Sequence, residues 1–275
     1  MNGTTFSSPQ QASLSLALIG NCTVSALIDD RGRIVWCCMP RFDSTPVFDA
    51  LMHSAQGCGD DGAYSVELEN LARVEQSYDA GTAIVRTRLW DTQGQGVELD
   101  DFAPRFITRD RPHRPAQLVR RVQPIAGHPR VRFVVRPRGD WGLATPSITR
   151  GSHHLRYVLP DITLRLTTNV PLTYLVDGTW IALHRPVSLL LGPDETLDDG
   201  IEETARSFQE QTELYWRHWT HRLALPLEWQ DAVIRAAITL KLCQYEETGA
   251  IVAAMTTSIP EAPNSGRNWD YRYCW

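Results

Sequence analysis

Short apolar runs separated by turn residues fill roughly the first 200 positions and predict β-strands. Strand-type runs at 73–78, 83–90 and 97–102 are interrupted by Asp79-Ala80-Gly81 and by the Gly-containing stretch 93–96. Breaks of this kind, about every ten residues, are typical of antiparallel sandwiches rather than of alternating strands and helices. No segment of helical period interrupts the region, so the fold class is predicted to be mainly β.

Three pairs of runs have the pattern of hairpins. Residues 24–28 and 33–37 flank the turn sequence Asp29-Asp30-Arg31-Gly32. Runs at 118–123 and 130–136 are predicted to pair across a Pro- and Gly-containing connection. The clearest signal is Asp177-Gly178 between 172–176 and 179–183, because Asp-Gly suits a two-residue type I′ turn.

The pattern changes to helical period after the turn-like stretch 192–195. From Ile201 the apolar positions lie on one helix face, with Asp198 and Asp199 as candidate caps. A second helix is predicted from Pro226 to about Glu247. Its middle is apolar on nearly all sides, which predicts burial by further helices or, failing that, self-association into a homo-oligomer.

Composition excludes several classes of function. The formal net charge is −5, with 43% hydrophobic and 21% charged residues, which is ordinary for a globular protein and argues against nucleic-acid binding. No apolar run reaches the roughly 18 residues of a membrane span, and the polar start lacks a basic flank, so a cytoplasmic location without membrane association is predicted. The six cysteines are expected to be reduced, and no metal or cofactor motif is present.

The last nine residues, Arg267 to Trp275, combine two tryptophans, two tyrosines and charged groups. Flat aromatic faces beside hydrogen-bonding groups suit a sugar ring, which has an apolar face and a polar rim. Packing in a core or interface is the alternative, and composition alone leaves both open.

Two parts of the chain resemble the bacterial and archaeal branch of glycoside hydrolase family 15, which contains glucoamylase-like enzymes, glucodextranases and trehalases. The C-terminal part is Ile251 to Ala262 followed by Arg267 to Trp275. The N-terminal part is Ala17 to Cys22 followed by Trp36 to Ser44. Because both ends match, the resemblance covers nearly the whole chain.

The resemblance implies a β super-sandwich, a linker helix and the first helix of a six-hairpin α/α barrel, here truncated. The corresponding ranges are 1–196, 197–224 and 225–275. Within the sandwich, Pro40 to Asp43 is expected to form a structural or domain-interface loop.

The resemblance also implies inverting hydrolysis of terminal α-glucosidic bonds by two glutamates, about 6.5–9.5 Å apart. In the family both glutamates follow the aromatic motif, so this chain is expected to contain no catalytic residue and to be inactive alone. The implied partner is an α-glucoside or α-glucan. Maltooligosaccharide, dextran-type glucan and trehalose all stay open.

By position in the motif, Tyr271 and Trp275 are expected to border the terminal glucose. Second candidates are Trp269, Asp270 and Arg267, which would brace the loop. Two other motif residues, Arg272 and Tyr273, are expected to pack between barrel helices.

Neighbouring acids elsewhere offer no substitute for the missing glutamates, since adjacent side chains diverge on a strand or helix. The pairs Asp100/Asp101, Glu202/Glu203 and Glu246/Glu247 are therefore expected to solvate a surface or cap a helix. A second hypothesis is that the polypeptide acts by itself as a non-catalytic carbohydrate-binding or interaction module. The apolar second helix favours the hydrolase hypothesis.

Overall fold

The computed structural model describes residues 14–53, 61–259 and 265–274. Four helices form within these ranges: α1 (Ala50–His53), α2 (Leu172–Asp177), α3 (Ile201–Thr220) and α4 (Gln230–Leu242). The strands are β1 (Ala17–Gly20), β2 (Ser25–Ile28), β3 (Ile34–Cys38), β4 (Pro46–Phe48), β5 (Tyr64–Leu68), β6 (Leu71–Tyr78), β7 (Val85–Asp91), β8 (Gly96–Phe102), β9 (Phe106–Thr108), β10 (Arg111–His113), β11 (Leu118–Ala126), β12 (Arg130–Val135), β13 (Ser147–Arg150), β14 (His154–Val158), β15 (Thr163–Thr168), β16 (Ile181–Ala182) and β17 (Val187–Pro193).

Two antiparallel sheets dominate the fold, which confirms the prediction of a mainly β protein. The first has the order β1-β2-β3-β5-β12-β16, with β4 also paired to β3. The second has the order β13-β14-β15-β17-β11-β8-β7-β6. Strands β9 and β10 form a separate two-stranded sheet. Side chains from both sheets meet in one apolar core, so the architecture is a sandwich.

The central strands of the eight-stranded sheet are buried on both faces. In β17, Leu189 and Leu191 point into the sandwich core, whereas Leu190 points to the opposite face. There Leu190 packs with Ile84 and with Ala205 of α3. Alternate side chains along the strand therefore enter two different apolar layers, which explains why three leucines are consecutive in β17.

Helix α3 begins close to the predicted residue and lies on the outer face of this sheet. Its N-terminal residue is preceded by Gly200, and no side chain caps it, so the predicted caps Asp198 and Asp199 are wrong. Helix α4 is shorter than predicted and packs Ile238 and Leu242 against Trp216 of α3.

A polar layer lies between α3 and the sheet, and it corrects the expectation that Asp100 solvates a surface. Asp100 is buried, and its carboxylate accepts hydrogen bonds from Gln209 of α3 at 3.0 Å and from Arg86 at 2.8 Å. Glu202 accepts from Arg121 at 2.8 Å. These acids hold the helix on the sheet.

The adjacent Asp101 points the other way, as expected for neighbours on a strand, but it too is buried. Its carboxylate pairs with Arg120 at 2.6 and 3.0 Å inside the sandwich. The guanidinium also donates to the carbonyl oxygens of Gly32 and Tyr64, at 2.7 and 3.2 Å. This ion pair therefore connects the two sheets through the core.

Strand pairing agrees with one of the predicted hairpins and contradicts another. Strands β2 and β3 pair as predicted. Strands β11 and β12 both form, but they belong to different sheets: β11 pairs with β8 and β17, and β12 pairs with β5 and β16. The segment between them is a connection from one sheet to the other, not a hairpin turn.

The third predicted hairpin is wrong because residues 172–177 form helix α2. Gly178 follows it in the left-handed conformation (φ 60°) and donates its N–H to the carbonyl of Tyr174. Asp-Gly therefore ends a short helix here instead of making a type I′ turn. Leu175 is the buried residue that attaches the helix to the sandwich.

Replacing Gly178 with alanine is expected to lower the free energy of unfolding by about 1 kcal/mol, because a side chain disfavours positive φ. A Cβ at this position would meet only Arg132, at 3.9 Å, so the cost is conformational rather than steric. Urea denaturation of Gly178→Ala measures it, with Gly178→Asn as a control that should lose less. Equal stability of the alanine variant and the parent would contradict the helix end.

Candidate functional site

The segment after α4 folds back on itself and places the aromatic motif against the sandwich. Isolated antiparallel bridges join Val252 to Cys274 and Thr257 to Asp270. Along the same pairing, the backbone N–H groups of Ala254 and Ser258 donate to the carbonyls of Tyr271 and Trp269, at 2.9 and 2.8 Å. The motif is thus one side of a backbone-paired ribbon.

The other side of the ribbon is attached to the first sheet. The indole Nε1 of Trp36 on β3 donates to the carbonyl of Met255 at 2.7 Å. The side chain of Met255 packs with Phe42, Tyr245 and Val252 in a small apolar cluster. A central strand of the first sheet therefore determines where the ribbon lies.

Arg272 makes the strongest connection between the motif and the sandwich. Its side chain is buried and forms a two-bond ion pair with Asp270, from Nε at 2.9 Å and from Nη2 at 2.8 Å. Its Nη1 donates to the carbonyl of Ser44 at 2.6 Å and contacts the Phe42 carbonyl and the Cys38 thiol at 3.4 Å. Arg272 was expected to pack between barrel helices, but its side chain is buried against carbonyls of the sandwich instead.

The loop at 41–44 is an interface loop, as the sequence predicted for this region. The ring of Phe42 meets Tyr245 edge to face, with centroids 5.7 Å apart. The guanidinium of Arg41 lies over the same tyrosine, 4.9 Å from its centroid. The loop thus contacts both the motif and the segment that follows α4.

A second sandwich loop reaches the motif and was not found from the sequence. Trp141 lies 5.3 Å from the guanidinium of Arg272, in cation–π geometry, and is 40% exposed. It sits in a turn where Asp140, Trp141 and Gly142 all have positive φ. Such backbone is uncommon for residues other than glycine. The Asp-Trp-Gly sequence indicates a turn but gives no sign of its partner.

Arg272 affects the protonation of two neighbouring side chains, Asp270 and Cys38. Partial burial alone would raise the pKa of Asp270, but the hydrogen bonds and charge of Arg272 outweigh it, so that pKa lies below its usual value. Burial raises the pKa of the Cys38 thiol to about 11, although Arg272 opposes the shift. Asp270 is therefore an anion and Cys38 a neutral thiol at neutral pH.

The predicted site residues fall into distinct environments. Asp270 and Tyr271 are half-buried, whereas Arg267 and Trp269 are exposed. Trp275 lies outside the described residues. Tyr273 is 56% exposed in this chain, and its expected packing between barrel helices stays a prediction. The ribbon therefore presents Trp269 and Tyr273 outward on either side of the buried Arg272.

The start of the ribbon has a separate attachment through Glu246. Its carboxylate accepts from Arg105 at 2.6 Å, and Arg105 also donates to the carbonyl of Asn21 at 2.7 Å. This ion pair corrects the expectation that Glu246 only solvates a surface. It brings the N-terminal resemblance stretch, which contains Asn21, beside the C-terminal one.

Lowering the pH is expected to loosen the ribbon through Asp270. A carboxyl whose folded pKa is depressed stabilises the folded state above its unfolded pKa of about 3.9, and that stability is lost as pH falls. The Trp269 indole resonance should therefore shift in NMR spectra below about pH 4. In Asp270→Asn this local titration should vanish, and its persistence there would contradict the assignment to Asp270.

The described residues contain neither a membrane-spanning helix nor a metal-ligand cluster. No helix in these ranges is both long enough and apolar enough to cross a bilayer. No cluster of three or more histidine, cysteine or acidic side chains in the same ranges has the arrangement of a metal site.

Comparisons with known proteins identify the family. Residues 9–169 match the family described as "Trehalase-like, N-terminal". Similar curated proteins include a trehalase of Mycolicibacterium smegmatis, 30% identical over 99% of this chain and 44% of that protein. A trehalase of Thermoplasma volcanium is 27% identical over 94% of this chain and 41% of that protein. Trehalase 1 of Sulfolobus acidocaldarius is 30% identical over 94% of this chain and 43% of that protein.

This chain spans less than half the length of each of these relatives. The family match nevertheless covers more than half of the chain, from before β1 to just beyond β15. The chain therefore belongs to the trehalase-like N-terminal family.

Proposed function

We propose that this chain is the N-terminal part of an inverting hydrolase that cleaves the α-glucosidic bond of trehalose. The choice of trehalose over other α-glucosides is supported by the relatives, which are named trehalases from both bacteria and archaea. The observation that carries the proposal is the attachment of Arg272 to the Ser44 carbonyl at 2.6 Å. Through it, the sandwich holds the aromatic motif in a defined position.

Tyr271 lies between two residues of one ion pair, Asp270 and Arg272. Because these neighbours are fixed to each other and to the sandwich, the backbone at Tyr271 is fixed as well. A half-buried tyrosine on such a support suits contact with a glucose ring. In this proposal Tyr271 and Trp275 border the sugar, Asp270 braces the loop, and Trp269 and Arg267 lie at its rim.

The exposed apolar side chains around α4 support a continuing helical domain. Leu227, Trp229 and Leu240 are 97%, 79% and 62% exposed, and all lie just before or on α4. In the proposal, 1–196 is the sandwich, 197–224 the linker and 225–275 the beginning of a barrel. Other helices of that barrel would cover these side chains.

The catalytic acid and base are proposed to lie outside this chain. A general acid needs a raised pKa, and its carboxyl must face the substrate. Burial raises the pKa values of Glu246 and Asp270, but their basic partners lower them by more. Both pKa values therefore lie below their usual values. Asp101, whose pKa is raised by burial, is enclosed in the sandwich core. None of the three suits an acid–base role.

Glucose release tests the proposal. Trehalose, maltose and isomaltose are each given to this chain and to the same sandwich within a longer polypeptide that includes the proposed barrel. We expect turnover of trehalose by the longer protein alone. Preference for maltose or isomaltose would contradict the substrate, and turnover by this chain, lost on changing one of its own carboxylates, would contradict its proposed inactivity.

The alternative function, a non-catalytic carbohydrate-binding module, is favoured by one observation: Trp269 and Tyr273 are 57% and 56% exposed on a fixed ribbon. Exposed aromatic side chains on a rigid support are suited to sugar stacking without catalysis. Binding of trehalose by this chain, with no turnover by the longer protein, would support this alternative over the hydrolase.

A further inference from the structure

A cleft lies on the sandwich, separate from the motif. It has a volume of about 640 Å³ and is lined by residues of 169–187. Helix α2 and strand β16 form its sides. None of its lining residues belongs to the ribbon at 251–274 or to the loops that hold it. Its size is that of a small-molecule site rather than of a single bound ion.

Aromatic side chains line one part of this cleft. Trp180 is held in place because the guanidinium of Arg132 lies 5.0 Å from its ring centroid. Arg132 is itself fixed, since its Nε donates to the carboxylate of Glu67 at 2.8 Å. Tyr174, on α2, is 40% exposed. The cleft thus has one aromatic ring fixed before any ligand binds and a second that is accessible.

Hydrogen-bond donors also line the cleft, beside its apolar residues. The Oδ1 atom of Asn169 accepts the backbone N–H of Ser188 at 2.8 Å, which orients the amide and leaves its Nδ2 group to donate elsewhere. His184 and Arg185 are both exposed. No aspartate or glutamate is among the lining residues, and no ion pair is formed by Arg185 within the described ranges.

We propose that this cleft binds a pyranose ring of a neutral oligosaccharide. The C–H face of a pyranose would pack on Trp180 or Tyr174, as apolar faces pack on aromatic rings. Ring hydroxyls would accept hydrogen bonds from Asn169 and Arg185, whose planar donor groups suit neighbouring oxygens. A purely apolar ligand would leave these donors unused, and a small anion would leave the aromatic rings unused. The site does not depend on the function proposed for the motif.

Calorimetric titration of this chain with maltotriose tests the site. Trp180→Ala and Arg185→Ala are each expected to weaken binding about tenfold or more, which corresponds to about 1.4 kcal/mol. Arg185 is exposed and forms no ion pair with any residue that the structure describes, so Arg185→Ala should remain folded even if Trp180→Ala does not. Circular dichroism checks folding. Arg206→Ala, which changes an exposed arginine on α3 outside the cleft, is the matched control and should leave the affinity unchanged.

Three outcomes would overturn the proposal. One is the absence of maltotriose binding by the parent chain. Another is loss of binding in Trp269→Ala with none in Arg185→Ala, which would assign the sugar to the motif. The third is displacement of maltotriose by inorganic phosphate at equal concentration, which would make the cleft an anion site. Failure of trehalose hydrolysis by the longer protein would leave this test unaffected.

Discussion

Replacing Arg120 with methionine is expected to lower the free energy of unfolding by about 3–5 kcal/mol at pH 7. The substitution leaves the Asp101 carboxylate in the sandwich core without its partner, and it leaves the Gly32 carbonyl without its donor. Both partners of the ion pair are at most 1% exposed, so water cannot replace the lost guanidinium. Urea denaturation followed by tryptophan fluorescence measures the loss.

Two further variants make this result specific. In Arg120→Met with Asp101→Leu, much of the lost stability should return, because no buried charge is left unpaired. Arg130→Met is the matched control, since Arg130 pairs with Glu69 on the surface, where the ion pair is about half exposed; it should cost about 1 kcal/mol or less. Equal losses for Arg120→Met and Arg130→Met would contradict the role of the buried pair.

The loss in Arg120→Met should also depend on pH. Burial already raises the pKa of Asp101 despite Arg120, and removal of the guanidinium raises it further. A group whose folded pKa is raised stabilises the folded state below its unfolded pKa, and that contribution is lost as pH rises through the folded pKa. The variant should therefore be closest to the parent near pH 4 and furthest from it above pH 7.

Replacing Arg272 with methionine is expected to release the ribbon while leaving the sandwich folded. The substitution removes the ion pair to Asp270 and the donor to the Ser44 carbonyl. Hydrogen bonds to charged groups contribute about 1.5–3 kcal/mol each. We expect a local loss of about 2–3 kcal/mol, which corresponds to roughly 30- to 150-fold faster hydrogen exchange at the N–H groups of Ala254 and Ser258.

Hydrogen exchange elsewhere in the same variant is the first control for this experiment. Backbone N–H groups of the central strand β11 should keep their protection in Arg272→Met, since they lie in the double-sided core. Arg206→Met, which removes an exposed pair with Glu210 on α3, should change neither set. Unchanged exchange at Ala254 and Ser258 in Arg272→Met would show that other contacts hold the ribbon.

Local sequence patterns predicted the elements better than their partners. Short apolar runs between turn residues identified β2, β3, β6, β7, β8, β11 and β12, and the helical period identified α3. Helix α2 was missed because Asp-Gly fits both a type I′ turn and a left-handed helix end, and 172–176 is too short to distinguish period two from period 3.6. The turn between β11 and β12 was misassigned because a short connection can also join two sheets.

The candidate site depended on contacts that sequence proximity cannot indicate. The motif itself was recognisable from its composition, but the Ser44 carbonyl that binds Arg272 lies 228 residues away. Likewise, Asp101 looked like a surface acid because its partner Arg120 is 19 residues away on the neighbouring strand. A charged residue on a strand is expected to be exposed unless a residue of opposite charge is known to lie beside it. Which residue lies beside it depends on the order of the strands in the sheet.

The packing of α3 affects how this architecture can be inherited. Ile84, Val119 and Leu190, on the outer face of the sheet, are covered by α3 and the residues that lead into it. The polar layer adds pairings such as Asp100 with Gln209 that only this helix provides. A gene fusion that joined the sandwich to another protein at residue 196 would remove α3 and expose the outer face of the sheet. Viable recombination breakpoints are therefore expected after Thr220, so that the helix and the sheet evolve as one transferable unit.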